Sequence, residues 1–106
     1  MANNNVFFSK EINDNMTDEE LITKIRANDK CALNFLMDRY KDVVNMKVSK
    51  YYISGAEKDD IVQEGLIGLY KAVKNFDKEK QNSFKTFANL CIERQIITAI
   101  KGSNRQ

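Results

Sequence analysis

The chain has 106 residues, 42% hydrophobic and 30% charged, the balance of an ordinary globular protein with room for one core. A net charge of +2 does not by itself call for nucleic acid. With no histidine, no CxxC pair, no nucleophile beside a base and no phosphate-cradling glycine loop, nothing in the sequence supports catalysis, a bound metal or a cofactor.

Proline is absent and glycine occurs only 4 times, so helices meet few breakers. The expected fold class is all-α, a compact bundle of about four helices. No apolar run approaches the length of a membrane span. The opening MANNNVFFSK holds only Val6, Phe7 and Phe8 as an apolar run, too short for the core of a signal peptide. Cys31 and Cys91 sit within apolar patterns, and a reducing, cytoplasmic setting with no membrane partner is expected.

Residues 1–16 are polar, Asn-rich and aperiodic, and read as a flexible lead-in that Phe7 and Phe8 could tack down. Thr17-Asp18-Glu19-Glu20 has the form of a capping box and opens a short helix with Leu21, Ile22 and Ile25 on its apolar side, ending near Asn28. Asp29 is placed to cap a second, longer helix over about residues 30–52, with Leu33, Leu36, Met37, Tyr40, Val44, Val48 and Tyr51 at helical spacing. Ser54-Gly55 is its stop signal, Gly55 suiting a left-handed cap.

A third helix is expected over 59–76. Val62, Leu66, Leu69, Val73 and Phe76 form a stripe for the core, while Asp60, Gln63, Glu64, Ile67 and Tyr70 mix acid, amide, aliphatic and aromatic groups on the other side. Gly65 and Gly68 each cost about 1 kcal/mol against alanine inside a helix, and close approach by another helix would compensate. Residues 78–82 read as a charged connector without regular pattern. Ser83 then starts a fourth helix running to about Lys101, which Gly102 ends. Its inward stripe is Phe84, Ala88, Ile92, Ile96 and Ala99. A second stripe, Phe87, Leu90, Cys91, Arg94, Ile97 and Lys101, is apolar at the top and cationic below.

Charge is segregated along the chain. Glu57, Asp59, Asp60 and Glu64 crowd the start of the third helix, and Lys78, Lys80, Lys85, Arg94, Lys101 and Arg105 dominate the end of the chain. An acidic patch followed by a basic tail suggests two different partners. From the residues alone, Asp59 or Asp60 could equally cap the third helix, with Gln63 completing a capping box. Phe84 reads as core, and Phe87 as either core or exposed.

The run Asp60, Gln63, Glu64, Gly65, Gly68, Leu69, Lys71, Ala72 and then Phe76 resembles the Asp-x-x-Gln-Glu-Gly-x-x-Gly-Leu-x-Lys-Ala pattern of the bacterial sigma-70 family, in the core-binding segment of its conserved region two. The likeness continues through Phe84, Thr86, Phe87, Ala88, Ile92, Arg94 and Gln95 and covers roughly residues 17–106. The wording IVQEGLIGLYKA and FANLCIERQIITAIK is similar to the sporulation or stationary-phase sigma-H type.

The resemblance implies a region-two domain over 17–106 of a sigma factor, not an enzyme. Its partners would be the RNA polymerase core, through the β′ clamp helices, and promoter DNA, through the non-template strand of the −10 element; an anti-sigma factor is a further partner it allows. Asp60 and Glu64 would meet basic residues of the clamp, Gln63 would hydrogen-bond, and Leu66, Ile67 and Tyr70 would supply apolar contact. On the fourth helix the implied DNA-binding set is Lys85, Thr86, Phe87, Leu90, Glu93, Arg94, Ile97 and Lys101, with Phe87 as a platform for an unstacked base and Glu93, Arg94 and Ile97 at the upstream edge.

Two departures matter. Leu90 and Cys91 stand where housekeeping members carry a tryptophan pair, implying weaker melting and the stricter promoter demand of an alternative sigma factor. The primary type also places its Arg-Gln pair one position earlier relative to Phe87, which leaves open which of Glu93, Arg94 and Gln95 reads bases. In the family more chain follows and reads the upstream promoter element, so the sequence is expected to be a piece of a longer protein. The competing readings are a helical protein–protein module that uses only the third helix, and a helix-turn-helix regulator of duplex DNA. The connector at 78–82 is too long and charged for the latter.

Overall fold

The computed structural model describes residues 12–51 and 57–104. Among them are five helices and no strand: α1 (Asp18–Arg26), α2 (Lys30–Arg39), α3 (Lys41–Tyr51), α4 (Lys58–Asn75) and α5 (Phe84–Asn104). The all-α expectation holds. The expected stop at Ser54-Gly55 and the tack at Phe7 and Phe8 lie outside the described residues. The helices divide into two units, one ending at Arg39 and one beginning at Tyr40.

In the first unit the capping box forms in both directions. Thr17 Oγ1 accepts from the Glu20 N–H at 3.1 Å, and Glu20 Oε1 accepts from the Thr17 N–H at 2.8 Å. Such a cap is worth about 1 kcal/mol. Asn28 ends α1 in the left-handed region at φ 71°, a conformation asparagine tolerates. The N–H of Asn28 donates to the Ile25 carbonyl at 2.9 Å and that of Asp29 to the Lys24 carbonyl at 3.0 Å. Asp29 then starts the next helix, its Oδ1 accepting from the Ala32 N–H at 3.1 Å. Leu21, Ile22, Ala32 and Leu36 are buried. Asp18 and Arg39 form an ion pair at 3.0 Å, and Arg39 also donates to the Asp14 carbonyl at 3.3 Å.

The single helix expected over 30–52 is two helices, interrupted at Tyr40. The Tyr40 carbonyl accepts from the Val44 N–H at 3.0 Å, the first bond of a new helix rather than a continuation of the old. Apolar spacing could not reveal the break, because Leu36, Tyr40, Val44 and Val48 keep a four-residue step straight through it.

In the second unit α4 and α5 are the principal pair, and α3 packs on both. The core holds Val44 and Val48 of α3, Ile61, Leu69, Ala72 and Val73 of α4, and Phe84, Ala88, Ile92 and Ile96 of α5. Phe84 meets Tyr40 and Phe76 edge-on, with ring centroids at 5.6 and 5.5 Å. Gly65 and Gly68 are the points of closest approach. A β-carbon on Gly68 would lie 2.7 Å from the Cys91 carbonyl oxygen and 2.9 Å from Ile92 Cα, and one on Gly65 would lie 2.7 Å from Val44 Cγ1. The contact side of α4 therefore centres on the glycines, and Val62 and Leu66, expected in the core, are only half-buried.

Neither Asp59 nor Asp60 caps α4. Its N-cap is Glu57, which makes no side-chain cap bond, and the two aspartates lie in the first turn, where the helix dipole favours them. The connector is more ordered than its composition suggests. Asp77 Oδ1 accepts from the Glu79 N–H at 2.9 Å, and the Asp77 carbonyl accepts from Lys80 and Gln81, both at 2.9 Å. Ser83 caps α5 by accepting from the Thr86 N–H at 3.2 Å. Gly102 does not end α5, which continues to Asn104; with nothing within 4 Å of its β-position, Gly102 sits in the helix without strain.

Candidate functional site

Two surfaces of the second unit hold the residues singled out from sequence. On α4, Asp60, Gln63, Ile67 and Tyr70 are exposed along one stripe opposite the buried side. Ile67 and Tyr70 leave 42% and 44% of their surface open, a large apolar presentation for neighbouring turns of one helix. Lys74, one turn beyond Tyr70, extends the stripe and lies 5.7 Å from the Tyr70 ring centroid. Its spacing from Tyr70 could have flagged it in the sequence.

The other two members of the expected docking set flank this stripe. Leu66 is half-buried on one side. Glu64 is half-buried on the side toward α5, where one carboxylate oxygen accepts from Gln95 Nε2 at 2.7 Å. The Gln95 side-chain oxygen in turn accepts from Lys71 Nζ at 3.1 Å. No sequence signal links residues 31 positions apart; only the packing of α4 on α5 brings them together.

On α5, Phe87, Leu90, Arg94, Ile97 and Lys101 recur at helical spacing on one face. Leu90, Arg94 and Lys101 are exposed, Leu90 by 43%, while Phe87 and Ile97 are half-buried. The Phe87 ring lies against Phe76 at 6.1 Å between centroids, so it is packed in part and keeps some of its surface exposed. Thr86 is exposed at the start of this face, its hydroxyl accepting from Ser83 at 3.0 Å. Lys85 is exposed but does not share the face: nine residues before Arg94 is two and a half turns, which puts it on the opposite side of the helix.

Glu93 borders the same face, one turn before Ile97, but its carboxylate is engaged by α3. The Tyr51 hydroxyl of α3 donates to its carboxylate. That bond holds the Glu93 carboxyl below the usual range, with help from the charges of Lys47 and Lys50 and against a smaller opposing effect of burial. The Tyr51 phenol is correspondingly raised, first by the same bond. Burial raises the Cys91 thiol, with Arg94 partly offsetting it, so this is a protonated packing residue. Neither cysteine is in a disulfide. Among the described residues no cluster of His, Cys, Asp or Glu could hold a metal, and no helix is long and apolar enough to cross a membrane.

The model of sigma-70 region 2 matches residues 36–106. Over 106 residues the chain is 47% identical to the RNA polymerase sigma-H factor of Bacillus subtilis (strain 168), covering 100% of this chain and 49% of that protein. It is 48% identical over 99 residues to the RNA polymerase sigma-H factor of Bacillus licheniformis, covering 93% of this chain and 44% of that protein. A more distant relative is the ECF RNA polymerase sigma-E factor of Escherichia coli (strain K12), 35% identical over 65 residues, 61% of this chain and 34% of that protein. The chain belongs to the sigma-70 family, through its region 2. Within the family its likeness is to the sigma-H type, and it spans less than half the length of those two relatives.

Proposed function

We propose that this chain is the region-2 part of an alternative sigma factor. It docks on the RNA polymerase core and receives the non-template strand of the promoter −10 element during transcription initiation. The polymerase supplies the catalysis, and a cytoplasmic setting follows from that role. The observation that carries the reading is the α4 stripe. A helix already buried along one side still presents Ile67 and Tyr70 to solvent beyond an acidic first turn and Gln63, as an unoccupied protein interface would. The β′ clamp helices are the proposed seat of this stripe.

The α5 face suits a single strand. The exposed part of the Phe87 ring can stack a base that has left the duplex, a contact worth about 1–3 kcal/mol. Leu90 adds apolar surface one turn on, and Lys101 neutralises a phosphate. Glu93 is held by Tyr51 and Gln95 by Glu64 and Lys71, so of the three neighbours Arg94 is the one available to read a base edge. Lys85, on the far side of the helix, serves the phosphate backbone at most.

The test is a fluorescently labelled single-stranded −10 oligonucleotide titrated with the chain and core polymerase together. Binding that needs both proteins and prefers the −10 sequence is expected. Equal binding of a scrambled strand would sink the DNA half of the proposal.

A further inference from the structure

Gln95 belongs to the helix that faces DNA, yet its side chain is committed to the helix that faces the polymerase. Its amide is oriented by its neighbours. The oxygen accepts from Lys71 Nζ at 3.1 Å, and the nitrogen donates to Glu64 Oε1 at 2.7 Å. A rotated amide would set oxygen against carboxylate and N–H against ammonium, so the two charges fix its direction. A carboxylate has two oxygens and about four acceptor sites. The bond from Gln95 occupies one oxygen and leaves Glu64 Oε2 to another donor.

We infer that Gln95 is a positioning residue for partner docking: with Lys71 it holds the Glu64 carboxylate in one orientation, presenting its second oxygen to a cationic side chain on the partner. The inference rests on the docking role proposed for α4. Pre-ordering a half-exposed carboxylate lowers the conformational cost of forming a charge-assisted hydrogen bond to the partner. It also assigns Gln95 away from base reading, although its neighbour Arg94 faces outward. Lys71 is exposed and makes no bond to Glu64 itself, so its contribution passes through the Gln95 amide.

The experiment is a double-mutant cycle on the full chain, with dissociation constants for core polymerase measured by fluorescence anisotropy. Gln95→Leu is expected to weaken capture roughly five-fold, on the scale of the ordering cost of one side chain. Glu64→Gln should weaken it at least as much, and the double variant should be no worse than Glu64→Gln alone. Lys71→Met, at an exposed position with no core to disturb, should reproduce part of the Gln95→Leu loss. Binding of the −10 strand by polymerase saturated with Gln95→Leu chain should be unchanged. Additive losses, or normal capture with impaired strand binding, would overturn the inference. If the unsubstituted chain were not captured at all, the docking role and the inference with it would fail, an outcome visible before any variant is compared.

Discussion

The hydroxyl of Tyr51 donates to the carboxylate of Glu93, tying the last turn of α3 to the middle of α5. The bond lowers the Glu93 pKa from its ordinary 4.5 and raises that of Tyr51 from its ordinary 10.0. The two shifts define a pH window. A depressed carboxyl contributes stability that is complete above its ordinary value and is lost as pH falls through the folded value. A raised phenol contributes stability that is complete below its ordinary value and is lost as pH rises through the folded one. Tyr51→Phe should therefore lower the melting temperature by a constant amount across neutral pH, and the gap from the parent chain should close toward both extremes. A gap that widened in acid would contradict the assignment.

The three described glycines should rank in a definite order on replacement by alanine. At Gly68 the new methyl meets the backbone of α5 at Cys91 and Ile92, which cannot step aside. Overpacking there costs about 1–3 kcal/mol and outweighs the roughly 1 kcal/mol of helix propensity gained. At Gly65 the nearest atom belongs to the Val44 side chain, so the loss should be smaller. At Gly102 nothing stands within 4 Å, and alanine should stabilise by up to about 1 kcal/mol. Thermal melts of the three variants check the order, and Gly68→Ala melting at or above the parent would refute the close approach of α4 and α5.

Phe84 and Phe87 are three residues apart and should behave differently. Phe84 is fully enclosed by Tyr40 and Phe76, and truncation to alanine should cost about 3–5 kcal/mol, enough to compromise folding. Phe87 is packed only in part, so Phe87→Ala should cost only about 1 kcal/mol of stability, keep polymerase capture and slow promoter opening. Permanganate footprints of the open complex read the last effect. Unchanged footprints in a folded Phe87→Ala chain would remove its stacking role.

Much of this architecture is legible in the sequence because it rests on local chemistry. Thr17 with Glu20, Asp29 and Ser83 are capping residues whose roles depend on neighbours within three positions. The core stripe of α5 follows from periodicity. What stays hidden is tertiary. The break at Tyr40 preserves the apolar spacing, and the buried side of α4 is centred on glycines that a hydrophobicity pattern does not count. Glu64 and Glu93 look available in sequence and acquire partners only when the helices pack. The capping role considered for Asp60 and Gln63 is absent because α4 starts earlier, at Lys58 after Glu57.

The most direct test of α4 as the docking helix is co-elution of the purified chain with core polymerase, compared among the parent, Gln63→Ala and Ile67→Asp. Both positions are exposed, so stability measured by thermal melts should stay within about 0.5 kcal/mol of the parent. The parent is expected to elute with the polymerase, Gln63→Ala to do so less and Ile67→Asp not at all. Co-elution of a folded Ile67→Asp chain at parental levels would show that the polymerase is held elsewhere.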